Sequence, residues 1–225
     1  MDATLAAALR HGFVFYILLV CSICIHEWAH AFVADKLGDP LPRSQGRVTL
    51  NPMAHMDSVG TVILPLLMIF SPLLMGAGAG LVLFGWGRPV QISLPNPKTR
   101  VRDDLLISAA GPLANLALCL LLAIIGGQLA KLPLNLHLGE LFTYAIFINA
   151  ALFVFNLIPI PPLDGSHFLR YATGMRAETF HNLARYGFLI LLLMLFFGPF
   201  QQMLQFGIYS VAGLFKGIMI VTAGG

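Results

Sequence analysis

Charge is what this sequence has little of. Asp, Glu, Lys and Arg make up 10% of the 225 residues, while hydrophobic residues reach 58% and the mean hydropathy is +0.83. Soluble domains carry about a quarter of their residues as charges, so a soluble globular chain is excluded. Apolar runs near residues 12–34, 58–84, 104–127, 139–159 and 186–221 are each long enough to cross a hydrocarbon layer about 30 Å thick, the last one broken near Gly198-Pro199. Cysteine is scarce as well: Cys21, Cys24 and Cys119 all fall inside these runs, which excludes a disulfide framework. Cys21 and Cys24 form a CxxC, but one such pair falls short of a zinc site and reads as small packing residues on a helix. The net charge of +3 is small and its basic residues sit in short loops, which suits membrane orientation and not nucleic-acid binding. The expected fold is therefore an all-α polytopic membrane protein with five to six transmembrane helices, forming a single domain over residues 1–225.

Against this background the stretch "CSICIHEWAHAFVADK", residues 21–36, is anomalous. A removable signal sequence has an apolar region of only about 7 to 15 residues and would not contain His26, Glu27 and His30, so the first run reads as a retained helix. Each helical residue advances about 100°, placing His26 and His30 about 40° apart on one face, with Glu27 inside the same arc. Two neutral imidazoles at this spacing reach one Zn²⁺, and the glutamate between them is placed to take a proton from the attacking water. A lone histidine in a span is more often a satisfied core residue. Three ionisable groups within five residues of an apolar run each cost a few kcal/mol, on the order of 3, and need a compensating partner.

A catalytic zinc takes three protein ligands. The extended soluble-protease pattern would need Gly at 33 and His at 36, where the chain has Val33 and Lys36. Glu140 and Glu178 have no supporting motif. Asp164, in "NLIPIPPLDGSH" (residues 156–167), is the better candidate: an acid at the end of an uncharged run, where Pro159, Pro161 and Pro162 break the helix ladder and open the chain. Taken alone, this aspartate is equally well an ordinary helix cap.

Together, HEWAH in the first core span and Asn156, Pro159, Leu163, Asp164 and Gly165 of an NxxPxxxLDG motif resemble the site-2 protease family of intramembrane zinc metalloproteases, peptidase family M50. "AAGPLANL" (109–116) is similar to that family's GPxxN helix; "GRVTLNPMAHMDSVGT" (46–61) and "FGWGRPV" (84–90) resemble its compact branch without PDZ or CBS domains. The resemblance implies that His26, His30 and Asp164 hold one zinc, that Glu27 is the general base and that Asn156 contacts or orients the substrate. A helical substrate must unwind to be cut, so single-span membrane proteins are the expected substrates, in a prokaryotic cell membrane; the length leaves no room for a PDZ or CBS domain, so regulation of that kind is expected to be either absent or supplied by a membrane partner.

A shared zinc also constrains topology. His30 and Asp164 both lie near the C-terminal ends of their runs, so a single crossing by 58–84 would put them in opposite leaflets. Pro65, Ser71-Pro72 and "GAGAG" (76–80) supply breaks for a re-entrant segment instead. That choice collects Lys36, Arg43, Arg47, Arg88, Lys98, Arg100, Arg102, Arg170, Arg176 and Arg185 on one side, with Arg10 and Lys131 opposite. Basic loops are cytoplasmic, so the site is expected toward the cytoplasm. Short membrane-associated β-strands in "GRVTLNP" and "RPVQISL" are expected to pair with an unwound substrate.

The remaining polar residues carry weaker readings. His55 and Asp57 are either a gate or second ion site or, more simply, an interfacial turn with Asx-type hydrogen bonds; His167 reads as a loop histidine before a ligand-supporting one. His11, His137 and His181 sit at span ends and receive no role. A metal transporter or sensor, or a scaffold that has lost catalysis, is the alternative; transport has no use for Glu27 beside a ligand, and the runs hold few other ionisable groups.

Overall fold

The computed structural model describes residues 3–75, 85–132 and 138–224. A chain this apolar must satisfy its backbone hydrogen bonds within each segment, and helices dominate accordingly. They are α1 (Ala3–Lys36), α2 (Leu41–Ser44), α3 (Leu64–Met75), α4 (Arg100–Leu129), α5 (Leu138–Asn156), α6 (Gly165–Ala172), α7 (Ala177–Leu195) and α8 (Gly198–Ala223). Among the described residues, four stretches are long and apolar enough to cross a membrane: Ala6–Lys36, Arg100–Leu129, Leu138–Asn156 and Gly198–Ala223.

α4 is the hub, packing against α1, α5 and α8. Its C-terminal half joins α5 and α8 in a core of Cys119, Ala123, Ile146, Ala150 and Phe215. Leu19 and Ile23 of α1 meet Ile148 of α5 in a second core, and Ile158, Leu163, Leu191 and Phe200 form a third where α7 and α8 close over the chain break. Phe206, Val221 and Leu193 point outward, as they do when the surrounding solvent is lipid.

The ends of the helices follow local chemistry. α1 stops at Lys36, and Gly38, at a φ of +89°, takes the left-handed conformation that turns the chain so that the Asp39 N–H donates to the Ala34 carbonyl at 3.0 Å. α5 stops at Asn156, inside the 139–159 run, because Pro159, Pro161 and Pro162 offer no amide to continue the ladder. Residues 157–164 run irregularly and the chain becomes helical again at Gly165. The break anticipated near Gly198-Pro199 separates α7 from α8.

Among the described residues there is no sheet. The expected strands reduce to one antiparallel bridge between Met56 and Gly87, flanked by hydrogen bonds from the Arg88 N–H to the His55 carbonyl (2.8 Å) and from the Trp86 N–H to the Gly60 carbonyl (3.3 Å). A ladder cannot grow further: Pro89 has no N–H, and the buried Arg47 guanidinium donates to the carbonyls of Ala54, Arg88 (2.7 Å) and Pro89 (2.8 Å). Asp39 captures the next amides, those of Ser93 (2.5 Å) and Leu94 (3.1 Å). Within 58–84, a π-helical run Ser58–Ile63 leads into α3; the "GAGAG" stretch lies outside the described residues.

Candidate metal centre

His26 and His30 sit on successive turns of α1, both buried, and their Nε2 atoms lie 3.1 Å apart. Each Nε2 is 3.3 Å from Oδ2 of Asp164, and the three donor atoms form a compact group drawn from two distant parts of the chain. Asp164 stands at the N-cap position of α6, yet its side chain makes no capping hydrogen bond. The ordinary-cap reading of this residue therefore does not hold: the carboxylate is turned away from its own helix and toward the imidazoles.

The other ring nitrogens are already engaged. His30 Nδ1 is 2.6 Å from the Ile107 carbonyl, and His26 Nδ1 is 2.6 Å from Asn115 Oδ1. A carbonyl oxygen only accepts, so each Nδ1 carries the proton and each Nε2 presents a lone pair. Asp164 Oδ2 is itself buried without a hydrogen-bond partner. Three acceptors facing one another in a buried site repel unless a cation lies between them. Ligands about 2.05 Å from a tetrahedral zinc stand about 3.3 Å from each other, which these separations match.

Glycine 111 makes the close approach of α4 possible. A Cβ there would overlap His30 Nε2 and lie 2.5 and 2.7 Å from Cε1 and Nε2 of His26. The next residue, Pro112, gives no N–H to the carbonyl of Ser108 four residues back.

The site opens into a cavity of about 490 Å³ whose lining includes His26, Glu27, His30, Asn156, Asp164 and His167. Glu27 stands against Gly87, whose added Cβ would lie 3.0 Å from Glu27 Cγ. Asn156 lines the same cavity while its amide donates one N–H to the Leu152 carbonyl at 2.9 Å, leaving a second N–H and Oδ1.

Asp104 and Asn149 were not singled out from the sequence, and Asn115 entered only as the last residue of the GPxxN motif, with no role attached. Asp104, 1% exposed, accepts from the Tyr171 hydroxyl at 2.5 Å, and its Oδ1 lies at ion-pair distance, 3.0 Å, from His167 Nδ1. This ties α6, and with it Asp164, to α4. Burial, then the bond to Asp104, pushes the Tyr171 phenol up to about 12. His167 is thus on a helix with a carboxylate partner and not in a loop. His55 and Asp57 lie outside the ligand cluster: Asp57 accepts from the amides of Val59 (3.0 Å) and Gly60 (2.7 Å), an Asx-type turn, and His55 Nε2 is 2.7 Å from the Thr49 carbonyl.

A helical protein of the bilayer with an HExxH helix facing a carboxylate falls in the class of intramembrane metalloproteases. The sequence pattern of Peptidase family M50 matches residues 133–196. Two relatives share the name "Putative zinc metalloprotease": YwhC of Bacillus subtilis, 35% identical over 215 residues and covering 90% of each chain, and Rip2 of Mycobacterium tuberculosis, 32% identical over 189 residues, covering 83% of this chain and 68% of its own length. No solved structure gives a significant match. The chain belongs to peptidase family M50 and is an intramembrane zinc metalloprotease.

Proposed function

We propose that His26, His30 and Asp164 hold the zinc, that Glu27 is the general base and that Asn156 positions the substrate, in a single domain spanning residues 1–225 that cleaves single-span membrane proteins. The observation that carries this reading is the meeting of three lone-pair donors, two of them in α1 and one at the break before α6, at 3.1 to 3.3 Å. Zinc, when bound, polarises the scissile carbonyl and makes water acidic enough to attack near neutral pH. Glu27, in the same cavity, takes the proton of that water and returns it to the leaving amine. The second N–H of Asn156 is available to the substrate carbonyl.

A helical substrate hides its carbonyls and must unwind to be cut. Gly87, Pro89, Val90 and Ile92 line the cavity, and of these only Gly87 is bridged to Met56. That supports an extended substrate lying along 87–92. Val90→Pro is expected to lower cleavage of a membrane-spanning reporter more than cleavage of a short soluble peptide; equal losses would remove this part of the reading.

The segment 58–84 is re-entrant in this reading, the helix count is five to six with α7 included, and the site opens toward the cytoplasm of a prokaryotic cell. Support comes from the bonds of Gly60 to Trp86 and of His55 to Arg88, which bring the two ends of the segment together, and from the basic loops. In this reading a membrane-embedded partner regulates cleavage. Cysteine-accessibility labelling of single-Cys variants at Gln45 and Lys131 tests the orientation, the first expected to label from the cytoplasm and the second from outside.

The deciding experiment measures zinc content and cleavage of a single-span reporter in wild type, Glu27→Gln and Asp164→Ala. The expectation is about one zinc per chain in wild type and in Glu27→Gln, cleavage lost by at least about 1,000-fold in Glu27→Gln, and weakened zinc in Asp164→Ala. Unchanged zinc affinity in Asp164→Ala would remove Asp164 from the ligand set.

A further inference from the structure

Behind His26 runs a buried chain of side-chain amides that crosses three helices. His26 Nδ1 meets Asn115 Oδ1 of α4 at 2.6 Å; Asn115 Nδ2 meets Asn149 Oδ1 of α5 at 2.9 Å; Asn149 Nδ2 lies 3.0 Å from the Ser22 hydroxyl of α1 and 2.8 Å from the Ala145 carbonyl. Asn115 Nδ2 also approaches the Ser22 carbonyl at 3.5 Å. Asn115, Asn149 and Ser22 are 0%, 1% and 3% exposed.

The direction of this chain can be deduced. The Ala145 carbonyl only accepts, so Asn149 must turn its NH₂ to it and its Oδ1 to Asn115. Asn115 must then offer its NH₂ to Asn149, an assignment reinforced by the Ser22 carbonyl, and its Oδ1 is left facing His26. An amide oxygen only accepts, so His26 carries its proton on Nδ1 and its Nε2 lone pair points to Asp164 and His30. Turning either amide over would set two acceptors or two donors face to face in a site without water. His30 gets the same instruction from a backbone carbonyl, whereas His26 depends on a side chain.

We infer that Asn115 is a positioning residue for the zinc: held in one orientation by Asn149, it fixes the tautomer and ring plane of His26 and thereby raises metal affinity. This inference rests on the ligand set proposed above. Joining helices does not by itself call for it, since α4 packs on α8 through Cys119, Ala123, Gly126 and Gly127 with no such chain of amides. A carbonyl acceptor on the far nitrogen of a ligating histidine is worth about 10- to 100-fold in metal affinity.

The test uses the full chain in detergent. Zinc affinity is measured by chelator competition, alongside thermal unfolding of the zinc-free protein, in wild type, Asn115→Leu, Asn115→Asp and Asn149→Leu. Asn115→Leu is expected to bind zinc about 10- to 100-fold more weakly than wild type. Asn115→Asp keeps an acceptor toward His26 and is expected to stay within about 10-fold of wild type, although its second oxygen repels Asn149 Oδ1 and lowers the unfolding temperature. Asn149→Leu, which unlocks Asn115 without touching His26, is expected to lose about 3- to 10-fold, and it decides the matter if Asn115→Leu does not fold. Wild-type affinity in Asn115→Leu, equal losses in the Leu and Asp variants, or no loss in Asn149→Leu would each overturn the inference. A His26→Ala protein that binds zinc like wild type would instead defeat the ligand set.

Discussion

Along α4, the half that meets α1 and α6 buries Asp104, Ser108 and Asn115, whereas the half that meets α8 buries Cys119, Ala123, Gly126 and Gly127. Both halves bring helices into close contact through a glycine. In the second half small residues let backbones approach, Cys119 adds a hydrogen bond to the Ile146 carbonyl, and Thr222 adds hydrogen bonds to its own helix and to the Ala123 carbonyl. In the first half Asn115 reaches His26 directly and Asp104 ties down the helix that follows Asp164, while the buried Asp103 at the helix start is taken up locally by Thr99 and Arg102. The difference separates what helix packing in lipid requires from what a metal requires. Small apolar residues are enough for the former, and polar ones are retained where something has to be oriented.

The comparison is sharpest at its two glycines. Gly111→Ala drives a methyl group into both imidazoles and is expected to lower zinc affinity by at least about 100-fold and abolish cleavage. Gly127→Ala meets the Met219 carbonyl at 2.5 Å and Thr222, and is expected to cost about 1–3 kcal/mol of stability with zinc affinity unchanged. If Gly127→Ala also strips the zinc, the two halves are not separable. Asp104→Asn, read by zinc competition and thermal unfolding, should fall between them: it weakens the tie to α6 at a cost of about 2 kcal/mol and loosens Asp164, with zinc affinity down about 10-fold.

The smallest effect lies outside both halves. Burial opposes the charge of Asp39, but donors from the Ser93 side chain and the amides of Leu41, Ser93 and Leu94 outweigh it and hold the carboxyl below its ordinary value. A folded-state value below the unfolded one of about 3.9 gives stability that is present above the unfolded value and lost as pH falls through the folded one. Asp39→Asn should therefore flatten the acid limb of the stability curve and leave zinc affinity at neutral pH unchanged.

Much of this was legible in the sequence because it is local. HEWAH places His26 and His30 by helical period alone, and the prolines after Asn156 end α5 wherever the helix is packed. Asp164 was found as the one acid beside a broken run, not by geometry. What stayed hidden is what depends on how helices cross: Asn115 and Asn149 sit in apolar stretches with nothing to mark which neighbour they address, and Asp104 reads as an ordinary acid near a helix start. The expected strands failed for a reason visible only in space, since Arg47, more than 40 residues away, claims the carbonyls a ladder would use.

The break between α5 and α6 has a consequence for biogenesis. With the ligand set proposed here, the helix carrying His26 and His30 enters the membrane early in synthesis, and its amide chain is completed when α5 follows. The third ligand emerges only after the prolines, beyond the end of α5. A nascent chain therefore spends most of its insertion with two imidazoles and no carboxylate. Metal capture, and with it the power to cut neighbouring helices, is deferred until α1, α4 and α5 have already found one another.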